Sequence, residues 1–473
     1  MIQVTDRDID SRLRLDNPWW QAGAGIDAEY REFPRRAYLP AFLQLTRDTV
    51  RRAIVLLGPR RVGKTIVVYH TIQALLDDGV PGRDILYASL ETPMYTGLAL
   101  DRLVQKFNGF FDRQSKGPLY VFFDEIQYLR DWEVHLKSLV DTYRHIRFVS
   151  TGSAAAALRT KSVESGAGRF TEFRLPPLTF VEYLRFIERE DELVRPVESP
   201  NGLAHVARDI HALNDEFVRY LNHGGFPEAV FSERIQANPR RYIKSDIIDK
   251  VLLRDLPSLY GITDIQELNS LFNTLAYNTG NELGLEDLSK TSHVAKNTLL
   301  RYLEYLEAAF LIRRVRRVDE NARRFQRSTT FKVFLTNPTM RAALFGPIDE
   351  TSEAIGSLAE TAVFSQWMHN TAFVDSLHYA RWKIGEVDLV SIDPARQKPR
   401  FAVEVKWSDC AVDDPRELKG LLQFARSHKL IRRPLVTTLT RQEVRSIDGV
   451  EIEYSPCSVH CYTVGKNTLD RRR

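Results

Sequence analysis

The chain has 473 residues, 43% apolar and 27% charged, an ordinary balance for folded domains and not for a disordered chain. At roughly 150 residues per domain, about three domains are expected, each long enough to bury a core. The 66 basic and 62 acidic residues leave a formal charge of only +4, which neither demands nor forbids a nucleic-acid partner. No apolar run approaches the roughly 18 residues that span a bilayer. The N-terminal MIQVTDRDIDSRLRLDN has no apolar signal core either. Three cysteines cannot build a disulfide framework, so a cytoplasmic protein with no membrane partner is expected. Cys457, His460 and Cys461 lie close in sequence, but a zinc site needs about four ligands and the other candidates are scattered.

In chain order, residues 1–46 form a polar lead-in with Asn17-Pro18-Trp19-Trp20 and the pair Arg35-Arg36. The adjacent tryptophans are expected to pack as an anchor. Over 47–195, the runs AIVLL, ILYASL, LYVFF and IRFVSTG read as buried strands, with helical patterns between them. That alternation predicts a parallel sheet flanked by helices. Val194–Gly202 reads as a Pro/Ser/Gly linker, 203–345 as mainly helical, and 346–473 as a further α/β unit.

Gly58-Pro59-Arg60-Arg61-Val62-Gly63-Lys64-Thr65 fits the phosphate-loop pattern G-x-x-x-x-G-K-[ST], with an apolar strand before it and an amphipathic helix after it. The glycines let backbone amides face phosphate oxygens at a helix N-terminus. Lys64 would reach the β- and γ-phosphates of ATP, and the Thr65 hydroxyl would bind Mg²⁺. The strand LYVFFDE ends in two acids: Asp124 as the second metal-side ligand, Glu125 to orient and deprotonate the attacking water. On the next strand, Thr151 is either a γ-phosphate sensor or part of a helix cap. Arg169 is either an arginine finger or a surface ion-pair residue. A finger acting in trans implies a homo-oligomer, which is the expected assembly.

GPRRVGKT, VFFDE, VSTGSAAA and AGRF, followed by LPPLTFVEYL, resemble a prokaryotic family of AAA+-like ATPases related to signal-transducing P-loop switches. YLNHGGFPEAV, TLLRYLEYLEAAFLI and GEVDLV…AVEVKWS extend the resemblance over nearly the whole chain. It implies an N-terminal ATPase followed by a C-terminal domain long catalogued as of unknown function. Asn337 departs from the pattern, where an aspartate is expected.

Residues 284–317 suggest a winged helix-turn-helix, with LEDLSK as one helix, TSHVAK as the turn and NTLLRYLEYLEAAFLI as the second helix. Leu299, Leu303, Leu306 and Phe310 would mark its buried face. Lys296, Asn297 and Arg301 would sit at the exposed start of a recognition helix; such helices also serve as protein-docking lids. Arg313, Arg314, Arg316, Arg317, Arg323, Arg324, Arg327 and Lys332 follow, opposed only by Asp319 and Glu320. Eight bases against two acids suit phosphate neutralisation, duplex or branched DNA being the expected partner, unless the strip pairs with acidic protein surface.

Near the C-terminus, Asp388 and Glu404-Val405-Lys406 lie on predicted strands that a hairpin would bring together, with Glu404 and Lys406 on one face. Two carboxylates so placed can bind Mg²⁺ while the lysine activates water, and Glu360 on the preceding helix would add a third acid. The set resembles the PD-(D/E)xK nuclease core, completed by a helix at Glu417–Ser427 where Gln423 would line the site. The expected fold is therefore α/β throughout its two ends: a P-loop parallel sheet, a helical winged-helix-like middle and a restriction-endonuclease-like domain. The expected function is Mg²⁺-dependent ATP hydrolysis coupled to DNA binding or remodelling, with nuclease activity open. The rival is a nucleotide-controlled switch whose nuclease-like domain binds without cutting; a third reading is a nuclease that ATP licenses.

Overall fold

The computed structural model describes residues 5–95, 97–111, 117–153, 168–199, 202–323 and 329–470. Packing separates an N-terminal unit ending at Leu175 from a C-terminal unit beginning at Pro176. No helix among the described residues is long and apolar enough to cross a membrane.

In the N-terminal unit, five strands form one sheet: β1 (Ala53–Leu57), β2 (Ile85–Ser89), β3 (Leu119–Asp124), β4 (Ile146–Gly152) and β5 (Phe170–Arg174). Their order is β2-β3-β4-β1-β5, parallel throughout. β1 and β3 are buried along their whole length, as a parallel sheet covered on both faces requires. The lead-in packs within this unit. Its helix α1 (Asp6–Asp16) starts at a capping box from Thr5 to Asp8. Asn17 then grips β2: its Nδ2 donates to the Tyr87 carbonyl at 2.9 Å and its Oδ1 accepts from the Tyr87 N–H at 2.6 Å. Both indoles, Trp19 and Trp20, donate to the Ile85 carbonyl, at 3.1 and 2.8 Å. Trp20 also stacks among Phe107, Phe110 and Phe111. The tryptophan pair therefore anchors an edge strand. After the phosphate loop comes α2 (Lys64–Asp77).

The C-terminal unit begins earlier than the expected end of the ATPase segment at residue 195. Phe180, Val181 and Leu184 are buried, and Phe180 packs against Phe217 and Tyr220 at 5.2 and 5.3 Å. Both partners lie on α3 (Ile210–His223). Within the stretch Val194–Gly202, expected as a linker, Val194–Ser199 is instead β6, the first arm of an antiparallel hairpin whose second arm, β7 (Gly202–Ala207), begins at Gly202. Burial explains the difference: Val194 is enclosed, and His205 packs edge-on to Tyr462 at 4.8 Å.

Next in sequence come β8 (Glu282–Gly284), α4 (Leu285–Ser292), α5 (Lys296–Ala308), β9 (Ile312–Val318) and β10 (Thr330–Leu335). The turn between the helices is shorter than TSHVAK, with His293 at φ 58° as its pivot. Leu299, Leu303 and Leu306 are buried as their spacing predicts. Phe310 departs from that face, because the helix ends at Ala308 and Phe310 turns the chain at φ 60°.

Six further strands complete the sheet: β11 (Leu377–Trp382), β12 (Gly385–Ile392), β13 (Pro399–Glu404), β14 (Leu435–Thr438), β15 (Glu443–Ile447) and β16 (Val450–Pro456). The nine strands run β15-β16-β14-β13-β12-β11-β9-β10-β8. Parallel pairing of β9 with β11 joins strands from either side of the expected boundary at 345/346. Helices α6 (Ile355–Trp367), α7 (Lys419–Ser427) and α8 (Cys457–Asp470) belong to the same unit, among further helices. At Gly420, α7 approaches β12 so closely that a Cβ would stand 2.3 Å from the Glu386 carbonyl oxygen. Asn337 is buried, accepts from the Thr339 N–H at 2.9 Å and donates to the Tyr220 hydroxyl at 3.5 Å. An aspartate there could still accept from the Thr339 N–H but would have no amide to donate to the Tyr220 hydroxyl.

Cys457, His460 and Cys461 are buried on α8, and His460 Nε2 has no hydrogen-bond partner among the described residues. Burial pushes the imidazole down to about 4. Because the folded pKa lies below the unfolded value, stability is full above about pH 6.5 and falls as pH drops toward 4, by up to about 3 kcal/mol. Urea midpoints measured from pH 7 to 4 should show that fall, and His460→Gln should flatten the part due to this residue.

Candidate functional site

The phosphate loop joins β1 to α2. Two non-extended positions shape it, Arg61 at φ 64° and Gly63 at φ 89°, the latter a left-handed N-cap that glycine adopts without strain. Gly58 is needed for a different reason: a Cβ there would stand 2.3 Å from the Leu175 carbonyl oxygen. Lys64 is buried and folds over the loop, with Nζ donating to the carbonyls of Gly58 at 3.2 Å and Pro59 at 2.9 Å. From the lead-in, the buried Arg36 guanidinium donates to the Val62 carbonyl at 2.6 Å and braces the loop. Sequence alone offered only a basic pair at that point.

β3 delivers Asp124 to the same place. Its Oδ2 accepts from the Thr65 hydroxyl at 2.9 Å and from the Tyr87 hydroxyl at 3.0 Å, while Oδ1 accepts from the Thr151 hydroxyl. Thr151 also accepts from the Glu125 N–H at 2.9 Å. Such contact is possible because β4 lies between β1 and β3. Burial, and then the neighbouring Glu125 charge, push the Asp124 carboxyl up; the three hydroxyls pull it back toward the ionised form. Glu125 sits at φ 55° just past the strand, its carboxylate accepting from the Gln127 amide. Hard oxygen donors from Thr65 and Asp124 fit Mg²⁺. Tyr87 was not anticipated. Its ring packs on Tyr69 at 4.9 Å, and burial holds both phenols above their usual range, Tyr69 at about 12. Position on β2 was the only available signal, since tyrosine in a strand is unremarkable.

Arg169, just before β5, is half-exposed and paired with Asp141 at 2.6 Å. Residues 154–167, including the AAA of VSTGSAAA and the first two residues of GAGRF, lie outside the described residues.

In the C-terminal unit, the β12–β13 hairpin pairs Leu389 with Val403 and Val390 with Ala402. Asp388 is therefore brought to the end of β13, where its Oδ2 accepts from the Val405 N–H at 2.9 Å. Lys406 lies beyond β13, which ends at Glu404, yet its Nζ still reaches Glu404 Oε1 at 3.0 Å. Glu360 arrives from α6. At the centre stands a residue that charge counting placed in the basic strip: Lys332, on β10, with only 4% of its side chain exposed. Its ammonium lies 2.8 Å from Glu360, 3.0 Å from Glu386 and 3.1 Å from Asp388. Burial would lower its pKa, but the three carboxylates outweigh that and raise it. Burial and the Asp388 charge push Glu360 and Glu404 up to about 8 against the lysines' opposite pull. Among the described residues, no three His, Cys, Asp or Glu side chains are arranged to hold a metal ion. Gln423 accepts from the Trp382 indole at 3.3 Å.

The rest of the basic strip is partly neutralised. Arg313 pairs with Asp375, Arg314 is held by Glu307 at 2.7 Å, and Lys296 pairs with Glu286 at 2.6 Å. Arg317 Nε donates to the Arg381 carbonyl at 3.0 Å. Arg301, Arg316 and Arg323 are exposed, whereas Arg324 and Arg327 lie outside the described residues. The local excess expected from composition is thus reduced, because β9 and β10 run beside acidic neighbours.

Tyr87→Phe tests the unexpected hydroxyl on Asp124. Losing a hydrogen bond to a charged group costs about 1.5–3 kcal/mol. The Mg²⁺-dependent part of ATP affinity should fall about tenfold by calorimetry, with affinity in EDTA unchanged.

Comparison with known proteins places residues 50–184 in a family model described as an AAA domain, and residues 214–351 in a domain of unknown function. An uncharacterized protein of Haemophilus influenzae is 25% identical over 408 residues, 85% of this chain and 92% of its own. The Methanocaldococcus jannaschii protein MJ1544 is 26% identical over 383 residues, 80% and 79% of the two chains. Among solved structures, Aeropyrum pernix ORC1 in complex with DNA aligns at TM-score 0.28 and 14% identity, over 64% of this chain and 90% of that one. Saccharomyces cerevisiae Hsp104 in complex with casein aligns at TM-score 0.29 and 15% identity, over 57% and 48%. Neither superposition is close enough to speak to the fold. The phosphate loop and the parallel five-stranded sheet give the N-terminal unit a P-loop α/β fold, and the match over residues 50–184 makes it similar to AAA domains.

Proposed function

We propose that the chain is an Mg²⁺-dependent ATPase whose nucleotide cycle acts on DNA held by the C-terminal unit. The observation that carries the ATPase half is the convergence of Thr65, Tyr87 and Thr151 on the buried Asp124, with Glu125 next in sequence. In this reading Lys64 turns from the loop carbonyls to the β- and γ-phosphates, and the loop amides cradle them. Mg²⁺, held by Thr65 and Asp124, would supply charge neutralisation on the phosphate oxygens. Glu125 orients a water for in-line attack and takes its proton, while Thr151 couples the two acids to the γ-phosphate. Arg169 would act from a neighbouring copy in a homo-oligomer, after leaving Asp141.

For the DNA half, the succession strand, helix, turn, helix, hairpin over 282–335 supports a winged-helix reading, with Lys296 and Arg301 at the start of its second helix. Exposed Arg316 and Arg323 would add phosphate contacts, Arg313, Arg314 and Arg317 would join them if released from their present neighbours, and Arg324, outside the described residues, is a further candidate. The α6, β11–β13, α7, β14 succession supports a nuclease-like core around Glu360, Asp388, Glu404 and Lys406. Oxygen donors there suit a divalent ion, which would polarise a phosphodiester.

One observation favours the rival reading, a nucleotide-controlled switch with a non-cutting domain: Lys332 already sits among the acids. ATP turnover with Mg²⁺, with and without duplex or branched DNA, separates the two. Several-fold stimulation by DNA, abolished in Lys64→Ala, is expected. Turnover indifferent to every DNA would move the assignment to the switch. Glu125→Gln should keep ATP binding and lower turnover by roughly 10²–10⁴-fold. If the nuclease-like site cuts, nicking of plasmid DNA should vanish in Asp388→Asn and Glu404→Gln.

A further inference from the structure

We propose that Lys332 is the resident cation of the C-terminal acid cluster, and that a divalent metal ion binds there only once this ammonium has been withdrawn. The proposal rests on reading Glu360, Asp388 and Glu404 as the acid site of a nuclease-like core.

Three observations carry it. First, the lysine is placed where a metal would be needed. Its Nζ stands 2.8–3.1 Å from oxygens of Glu360, Glu386 and Asp388, contributed by α6 and β12, and 5.6 Å from the Tyr379 ring centroid. A buried lysine is otherwise rare, and although three carboxylates match its three N–H donors, they bring a formal charge that one ammonium does not balance. Second, one acid oxygen is left over. Glu404 is nine-tenths buried; Oε1 receives Lys406, but Oε2 has no partner among the described residues. Asp388 is its neighbour, with Oδ1 on Lys332 and Oδ2 on the Val405 N–H. An unpartnered carboxylate oxygen beside a second carboxylate is what a divalent cation satisfies and a distant ammonium does not.

Third, the two occupants exclude one another. Mg²⁺ needs its oxygens at about 2.0–2.1 Å. The acids would have to close inward by about 1 Å on ground that Nζ occupies. Lys332 belongs to β10, whose register sets it opposite Glu282 of β8 and Val315 of β9. On that edge β8 pairs over three residues, Glu282–Gly284, and the Gly280 N–H adds a bond to the Val333 carbonyl at 2.8 Å. The lock is thus carried by the last strand of the strand–helix–turn–helix–hairpin segment, outside the α6–β12–β13 group that supplies the acids.

Mn²⁺ titration of the nucleotide-free, EDTA-stripped full chain tests this, read by electron paramagnetic resonance and by the shift in melting temperature. Wild type should show no tight site and no metal-dependent shift. Lys332→Met should gain one site at least tenfold tighter, melt lower than wild type in EDTA and recover on adding Mn²⁺; adding Asp388→Asn should erase both gains. Lys332→Gln, which keeps a donor without the charge, serves as the second variant and should behave alike. A wild-type site as tight as the variants', and lost in Asp388→Asn, overturns the lock and leaves the acid-site reading standing. Folded variants that bind no Mn²⁺ overturn both. Variants that fail to fold even with Mn²⁺ show that a metal cannot replace the ammonium, and overturn the lock as well.

Discussion

A carboxylate removed from water has to be given donors or positive charge, and each unit of this protein is arranged around carboxylates treated in this way. In the N-terminal unit the carboxylate is Asp124. Three hydroxyls from three different elements meet it: Thr65 from α2, Tyr87 from β2 and Thr151 from β4. Tyr87 reaches Asp124 because β2 pairs with β3, and Thr151 because β4 pairs with β3 on the other side, so the strand order sets the carboxylate's partners. The lead-in enters through that requirement too. Asn17 and the two tryptophans fix β2, which carries Tyr87, and Arg36 fixes the loop that carries Thr65.

In the C-terminal unit the same demand is met by ammonium groups. Glu360, Glu386 and Asp388 surround Lys332, and Glu404 holds Lys406. Opposite charges at such separations, in a poorly hydrated interior, interact strongly, and removal of one partner leaves a costly remainder. The hydroxyl solution surrounds Asp124 with neutral donors only. The ammonium solution fills the space outright. Two clusters of buried carboxylates are therefore satisfied in opposite ways, one by neutral hydroxyls and one by ammonium charge.

Much of this was legible in the sequence. The phosphate loop, the acids after β3, the apolar strands and the Asp388/Glu404 hairpin are local patterns whose residues act within a few positions of one another. The two helices Leu285–Ser292 and Lys296–Ala308 were legible for the same reason, apart from the short turn at His293 and the early helix end that releases Phe310. The stretch Val194–Gly202 was misleading: proline, serine and glycine describe a linker and a hairpin equally well, and only pairing with β7 decides between them. Lys332 was misleading in another way. It stands among arginines in sequence, and net charge per segment carries no information on which side chain turns inward.

By itself, then, the sequence determined the nucleotide-binding loop, its two acids, and a distant carboxylate–lysine set, because short motifs encode backbone shape and chemistry together. Only the tertiary structure decided who partners these groups. Tyr87 and Arg36 reach the ATP site from segments with no motif, and Lys332 reaches the acid cluster from β10 through a strand pairing that joins two halves of the chain. Such partners are set by register and strand order, which depend on contacts across tens to hundreds of residues and leave no periodic trace in the sequence.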